Sequence, residues 1–91
     1  MQDTHYEKAH DITTELTGSN VDVSAIKAGA FLALGIIIAR TTNEAEAVTG
    51  VLVGRNTPIT LSLRVGEVHK FKFKEIRTTG TTTNAIQIVG I

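Results

Sequence analysis

Cysteine is absent from the sequence, so neither a disulfide bond nor a thiolate-bound metal can stabilise the fold, and cysteine usage does not indicate a redox compartment. The 91 residues are enough for one domain, but a core of that size gives a net stability of only a few kcal/mol. Contact with other chains is the remaining means of stabilisation. The composition therefore favours an oligomer or a protein with a large partner surface.

An excess of charge is also absent, because nine lysine and arginine residues balance nine aspartate and glutamate residues. Such a chain lacks the global electrostatic field that steers proteins onto nucleic acid or anionic membranes. The longest apolar run, residues 28–39, has about a dozen residues, whereas a membrane-spanning helix needs roughly 20. Residues 1–8 lack the basic and apolar regions of a secretion signal. The sequence thus predicts neither membrane association nor export.

The pattern that is present is the alternation of apolar and polar residues, which is typical of half-buried β-strands. It is clearest in residues 59–65, where the odd-numbered positions are apolar and the strand begins after the only proline, Pro58. A turn at Gly66 leads to a second predicted strand over residues 67–76. The apolar phase of this strand slips near residues 74–75, which indicates a β-bulge.

Two further strands are predicted in the middle of the chain. Residues 31–41 are apolar on both faces and include a β-branched run at 36–38, as is typical of a central buried strand. Residues 43–50 could form a single helical turn, but the β-branched valines favour a hairpin turn at 42–44 that leads into a strand over residues 47–53. Short strands separated by turns predict a single antiparallel β domain over residues 21–91, either a sandwich or a small barrel.

Residues 1–20 differ in composition and are predicted to form an N-terminal arm that is flexible or ordered by a partner. They are rich in Asp, Glu, His and Thr, and their sizeable apolar side chains are Tyr6, Ile12 and Leu16. Residues 4–7 fit a capping box that would begin a short helix, and the segment from Ile12 to Leu16 is equally compatible with an extended strand.

Residues with the chemistry of catalysis are scattered. The three histidines, His5, His10 and His69, have no nucleophile and acidic group at a recognisable spacing, and His5 with Glu7 would supply only two ligands of a metal site. The glycines do not match a phosphate-binding loop. We therefore predict a protein that is not an enzyme and that holds no cofactor and no metal.

One segment supports a nucleic-acid hypothesis. Residues 69–74 (HKFKFK) interleave Lys70, Lys72 and Lys74 with two phenylalanines, the combination with which small barrels hold single-stranded nucleic acid. On a regular strand, however, the lysines and the phenylalanines point to opposite faces. The favoured interpretation is a pair of core phenylalanines, Phe71 and Phe73, backed by a solvated lysine row that discourages edge-to-edge aggregation, and nucleic acid is kept as the alternative partner.

The end of the chain combines several of these features. An alternating strand and a Phe/Lys strand are followed by the turn region RTTGTTTN at residues 77–84 and by the apolar terminus AIQIVGI at residues 85–91, which is predicted to lie in a sheet or an interface. This order of features resembles the ending of small β-rich virion proteins of tailed bacteriophages.

The resemblance implies a structural protein without enzymatic activity, made in the bacterial cytoplasm and present in many copies on the virion. The role implied is that of a capsid decoration or cement protein, which binds outside the shell, bridges neighbouring major capsid subunits and associates with copies of itself. The arm and the terminal strand would make these contacts, through Tyr6, Ile12, Leu16, Ile88 and Ile91.

Two alternatives from other classes remain. A head-tail connector or tail component would share the β fold and would assemble into rings. A single-stranded nucleic-acid-binding barrel would depend on Lys70, Lys72 and Lys74, and its affinity would fall steeply with salt.

Overall fold

The computed structural model of the chain describes residues 6–27, 30–39 and 41–91 and consists mainly of short β-strands. In chain order the elements are β1 (Lys8–Asp11), the single helical turn α1 (Thr13–Leu16), β2 (Val21–Asp22), a 3₁₀ turn (Val23–Ala25), β3 (Ala33–Ile38), β4 (Ala45–Leu52), β5 (Ile59–Arg64), β6 (Val68–His69), β7 (Phe73–Arg77) and β8 (Ile86–Gly90). Each strand pairing in these ranges is antiparallel.

The strands form two four-stranded sheets that pack together. Sheet A has the order β1-β8-β3-β6, and sheet B has the order β2-β7-β4-β5. Four of the pairings are nested, because β1 pairs with β8, β2 with β7, β3 with β6 and β4 with β5. The chain is therefore one antiparallel ribbon that folds back in the loop 53–58 and winds through both sheets. Eight strands in this arrangement form a jelly roll.

The core lies between the two sheets and draws on residues from the whole described chain. The period of two places alternate side chains of each strand inside, as in β8, where Ile86 and Ile88 are buried and Gln87 is partly exposed. The buried cluster consists of Ile12, Leu16, Val21, Val23, Ile36, Ile38, Val48, Leu63, Phe73, Ile76, Ile86 and Ile88. These apolar side chains give the fold its main stabilisation.

The prediction of an all-β antiparallel sandwich is confirmed, and the predicted N-terminal arm is not. β1 pairs with β8, and the residues that follow it, Ile12 and Leu16, are 0% and 4% exposed in the core. Both residues are buried because they are four positions apart around α1, where the Leu16 amide donates to the Ile12 carbonyl at 2.9 Å. Their side chains therefore lie on one face, which packs into the core. Residues 4 and 5, in the predicted capping box, lie outside the described ranges.

Two connections differ from the sequence-based interpretation because the ribbon changes sheet there. Residues 42–44 do not form a hairpin turn, since they link β3 in sheet A to β4 in sheet B. The predicted strand 67–76 is divided into β6 in sheet A and β7 in sheet B, with residues 70–72 crossing between them. The turn predicted at Gly66 is confirmed, with a φ of 85°, and it too leads from one sheet to the other.

The predicted β-bulge near residues 74–75 is confirmed. Val51 of β4 faces Glu75 of β7, whereas the next residue, Leu52, faces Phe73. Lys74 is therefore the extra residue on β7, and the bulge sharpens the bend of this strand where the ribbon enters sheet B.

Candidate interaction surface

The threonine-rich segment at residues 77–84 belongs to the hydrogen-bonding scheme of sheet B. β7 pairs with β4 only from Thr49 onward, so the first half of β4 needs other partners on that side. The hydroxyls of Thr81 and Thr82 accept the amide hydrogens of Thr49 and Ala47, each at 2.9 Å, and the Thr82 amide donates to the Ala47 carbonyl at 2.9 Å. The segment thus takes the place of a strand, a role that the sequence analysis missed.

Glu46, near the start of β4, is 6% exposed and is held by three donors. One carboxylate oxygen accepts from the Asn43 amide and from the Thr41 hydroxyl, each at 2.9 Å, and the other accepts from the Thr82 hydroxyl at 2.7 Å. The hydrogen bonds from Asn43, Thr82 and Thr41, in this order of size, hold the pKa of Glu46 below its ordinary value of 4.5. The carboxylate therefore ties the loop before β4 to the threonine segment.

We expect this carboxylate to make the fold sensitive to acid. Because the pKa of Glu46 is lower in the folded than in the unfolded state, its contribution is fully present above about pH 4.5 and is lost as the pH falls through the folded-state pKa. Glu46→Gln places an amide NH₂ among hydrogen-bond donors, so it should lower the urea midpoint of unfolding at pH 7. The variant lacks the titrating carboxylate, so its urea midpoint should decline less steeply below about pH 5 than that of the wild type. Urea unfolding followed by circular dichroism measures both effects. The pKa of Asp11 is also lowered, by the Thr13 hydroxyl and amide, so the urea midpoint of the variant should still decline somewhat in acid. Equal pH slopes in the two proteins would contradict the prediction.

The histidines in the described ranges have structural partners. His10 Nε2 lies 3.3 Å from a carboxylate oxygen of Glu15, and His69 Nε2 lies 2.9 Å from the Arg64 carbonyl oxygen. Among the residues that the structure describes, no group of three or more His, Cys, Asp or Glu side chains is placed to hold a metal ion. His5 lies outside these ranges.

The partner contacts predicted from the sequence divide into buried and accessible residues. Ile12, Leu16 and Ile88 are buried in the core, which corrects their assignment as contacts, because apolar residues on an inward face and on an interface have the same sequence pattern. Tyr6 is half-buried, and its hydroxyl is buried without a hydrogen-bond partner. Ile91 is exposed. Of the five, the structure therefore leaves Tyr6 and Ile91 accessible to a partner.

Ile91 belongs to a group of exposed apolar side chains at one end of the sandwich, which we call the apolar end. Its members are Leu32, Val53, Phe71 and Ile91, with exposed fractions of 56%, 61%, 38% and 42%. Leu32 and Ile91 exchange two backbone hydrogen bonds of 2.7 and 3.0 Å. Exposed apolar side chains that cluster at one place are typical of an interaction site, whereas isolated exposed residues are not.

The two sheets meet at this end and bring the other two members close. Leu32 and Val53 line one cleft of about 220 Å³ together with Phe73. The ring of Phe71 lies 6.4 Å from that of Phe73, and the Val53 amide donates to the Lys72 carbonyl at 2.9 Å. The apolar end is thus assembled from the start of β3, the ends of β4 and β8, and the crossing segment 70–72.

Charge is unevenly distributed between the two ends of the sandwich, although the chain is formally neutral. The basic residues placed around the apolar end are Lys8, Lys27, Arg55, Lys70, Lys72 and Lys74, and the acidic residues there are the fewer Glu7, Asp22 and Glu75. The opposite end, which we call the acidic end, carries Asp11, Glu15, Glu44 and Glu67 on its surface, and its described basic residue is Arg64, bonded to Glu67 at 2.9 Å. The molecule is therefore electrostatically polarised along its strands.

The crossing segment 70–72 also changes the geometry expected for the lysine row. Phe73 is in the core as predicted, but Phe71 is exposed together with Lys70 and Lys72, which corrects its assignment to the core. Residues 70–72 are not part of a strand, so they do not alternate strictly between two faces. Lys74 occupies the bulge and donates to the Asn56 side-chain oxygen at 3.3 Å. An aromatic ring and lysine ammonium groups are thus accessible within a few residues of each other.

In the ranges described, the chain forms no helix long and apolar enough to cross a membrane. Comparison with known proteins finds no matching protein-family model, no matching curated protein and no matching solved structure.

Proposed function

We propose that this chain is a non-enzymatic structural component of a virus particle, a capsid decoration protein that binds the outer surface of the shell and bridges neighbouring major capsid subunits. The observation that carries the proposal is the apolar end, where the large apolar side chains Leu32, Val53, Phe71 and Ile91 are all exposed. A domain of this size loses stabilising burial by exposing these side chains, so a partner surface that covers them is the simplest explanation.

The architecture supports the same proposal by analogy. Jelly rolls are used as viral capsid domains, and also as lectin and cupin domains, so the fold alone does not decide the function. The phage-like ending found in the sequence adds to the analogy at residues 77–91. In the structure these residues form the threonine segment and β8, and they lead to Ile91 in the apolar end.

The electrostatics of the apolar end indicate what kind of shell surface would fit it. A basic rim lies beside the apolar residues, with Lys27 and Lys74 in the cleft that Leu32 and Val53 line and with Lys70 and Lys72 next to Phe71. The complementary site is therefore an apolar depression bordered by carboxylates. Basic rim residues would mainly raise the association rate and its salt dependence, whereas Val53 and Leu32, the two most exposed apolar side chains of this end, would slow dissociation.

Co-sedimentation with purified heads of the phage that encodes the chain tests the proposal. We expect the wild-type protein to bind the heads, and Val53→Asp, which places a charge at the centre of the apolar end, to weaken binding at least about tenfold. Ser62→Asp, on the exposed face of β5, is the matched control with the same change in net charge and should bind as wild type. Electron microscopy with a labelled antibody locates the protein: label on the connector or tail supports that alternative, and particles without label overturn a virion role.

A second candidate, binding of single-stranded nucleic acid, is favoured by the exposure of Phe71 between Lys70 and Lys72. Fluorescence anisotropy with a short labelled oligonucleotide tests it. If this candidate is correct, affinity falls steeply with salt, and reversing the charge of Lys70, Lys72 and Lys74 together abolishes binding, while Arg64→Glu at the acidic end leaves it unchanged. Absence of binding at low salt eliminates the candidate.

A further inference from the structure

We propose that the protein associates head to tail with copies of itself, so that the apolar end of one copy seats on the acidic end of the next. The inference rests on the proposed structural role and extends it by naming one partner of the apolar end, a second copy of the chain. It is carried by the different surfaces that the jelly roll places at its two ends.

The acidic end has a cleft that suits an apolar protrusion. The cleft has a volume of about 520 Å³, and the backbone after β3 and the turn after β5 form its walls, with Ile37, Ala39 and Val65 as half-buried apolar side chains. Glu44 and Arg64 also line the cleft, and Arg64 donates to the Glu67 carboxylate at 2.9 Å. Val68, the strand partner of Ile37, is 41% exposed and extends the apolar surface beyond the cleft.

The two ends both offer apolar surface, and in addition their charges are complementary. The lysines near Val53 and Phe71 would face Glu44 in the cleft, and Asp11, Glu15 and Glu67 exceed Arg64 in charge around it, whereas two apolar ends or two acidic ends facing each other would bring mostly like charges together. The charges therefore favour the contact between unlike ends over either contact between like ends. A contact between unlike ends is heterologous, so it propagates into a ring if the rotation closes and into a filament if it does not.

The mass of the wild-type protein in solution provides the first test. Light scattering after size exclusion should show a mass that rises with protein concentration at roughly 0.01 M salt, where charges act over about 30 Å, and association at least about tenfold weaker near 1 M salt, where they act over about 3 Å. A protein that remains monomeric at low salt and the highest soluble concentration would overturn the inference.

Two single variants test the orientation of the contact. Val53→Asp blocks the apolar end, and Glu44→Lys reverses the charge at the rim of the cleft; both side chains are exposed, so neither substitution disturbs the core. Each variant alone should be monomeric. An equimolar mixture should form a dimer and nothing larger, because the intact apolar end of one variant meets the intact acidic end of the other and both outer ends are blocked.

The contrary outcomes are distinct. If Glu44→Lys still associates alone, the charge of Glu44 does not hold the contact, and if Val53→Asp still associates alone, the apolar end is not involved; either result overturns the inference. Ser62→Asp, on the side of sheet B, should associate as wild type. Binding of monomeric Glu44→Lys to phage heads would support the decoration role independently, so failure of self-association and failure of the proposed function are separable.

Discussion

Replacing Ile12 by alanine is expected to lower the free energy of unfolding by about 2–5 kcal/mol, a large share of the roughly 5–15 kcal/mol typical of a domain. Ile12 is completely buried between the sheets, and its amide donates to the Ile86 carbonyl at 3.0 Å, which continues the pairing of β1 with β8. Alanine would leave a cavity there, because the neighbouring Leu16 and Ile86 are fixed by their own elements. Urea unfolding followed by circular dichroism measures the loss.

The control for this prediction is Val53→Ala, which removes methyl groups from an exposed side chain and should change the free energy of unfolding by less than about 0.5 kcal/mol. The comparison also tests the position of the N-terminal segment. If residues 6–16 were a loose arm in solution, Ile12→Ala would cost no more than Val53→Ala, and the packing of α1 described above would be wrong.

The second large effect is expected for Gly50→Ala in the middle of β4, which we predict to cost about 1–3 kcal/mol or more. A β-carbon at this position would collide with the backbone carbonyl oxygen of Glu75 and would lie 2.8 Å from the ring of Phe73. The ring can shift slightly, but the carbonyl belongs to the paired strand β7 and cannot move without breaking the pairing of β4 with β7. The expected readout is a lower unfolding midpoint in urea and on heating.

Gly18→Ala is the matched control, because a β-carbon there would meet no atom within 4 Å. It should leave the protein as stable as wild type or slightly more stable, since alanine restricts the unfolded chain. Equal stabilities of the two alanine variants would show that sheet B adjusts at Gly50 and would contradict the close packing of Phe73 against β4.

The positions of the strands could largely be predicted from the sequence, but their partners could not. Alternation in residues 59–65 and the apolar run at 36–38 identify β5 and β3, because burial of one or both faces leaves a local signal. Pairing between distant strands leaves no local signal, so nothing in the sequence around Ile36 or Ile88 shows that these two residues are strand partners. The hairpin at 42–44 was therefore wrong, although the strand after it was right.

The same distinction explains the candidate surface. The cluster of Lys70 and Lys72 is visible in the sequence because its members are neighbours in the chain. Leu32 and Val53 come together only because the ribbon winds the start of β3 against the end of β4, so no local pattern marks them. The assignment of Ile12 and Leu16 to an arm was wrong because two apolar residues in a polar segment fit a docking arm and a core helical turn equally well.

The nesting of the strand pairs also has a consequence for how the chain reaches its native state. β4 and β5 are joined by the short loop 53–58 and can pair as soon as both exist, whereas β1 must wait for β8, since Lys8 is the partner of Gly90. β1 can pair with β8 only when almost the whole chain is ordered, so folding should be slow for a domain of this size. Pairing should proceed outward from the loop 53–58. On the ribosome, β1 would therefore stay without its partner strand until β8 has emerged, so a chaperone that shields β1 during synthesis should raise the yield of folded protein.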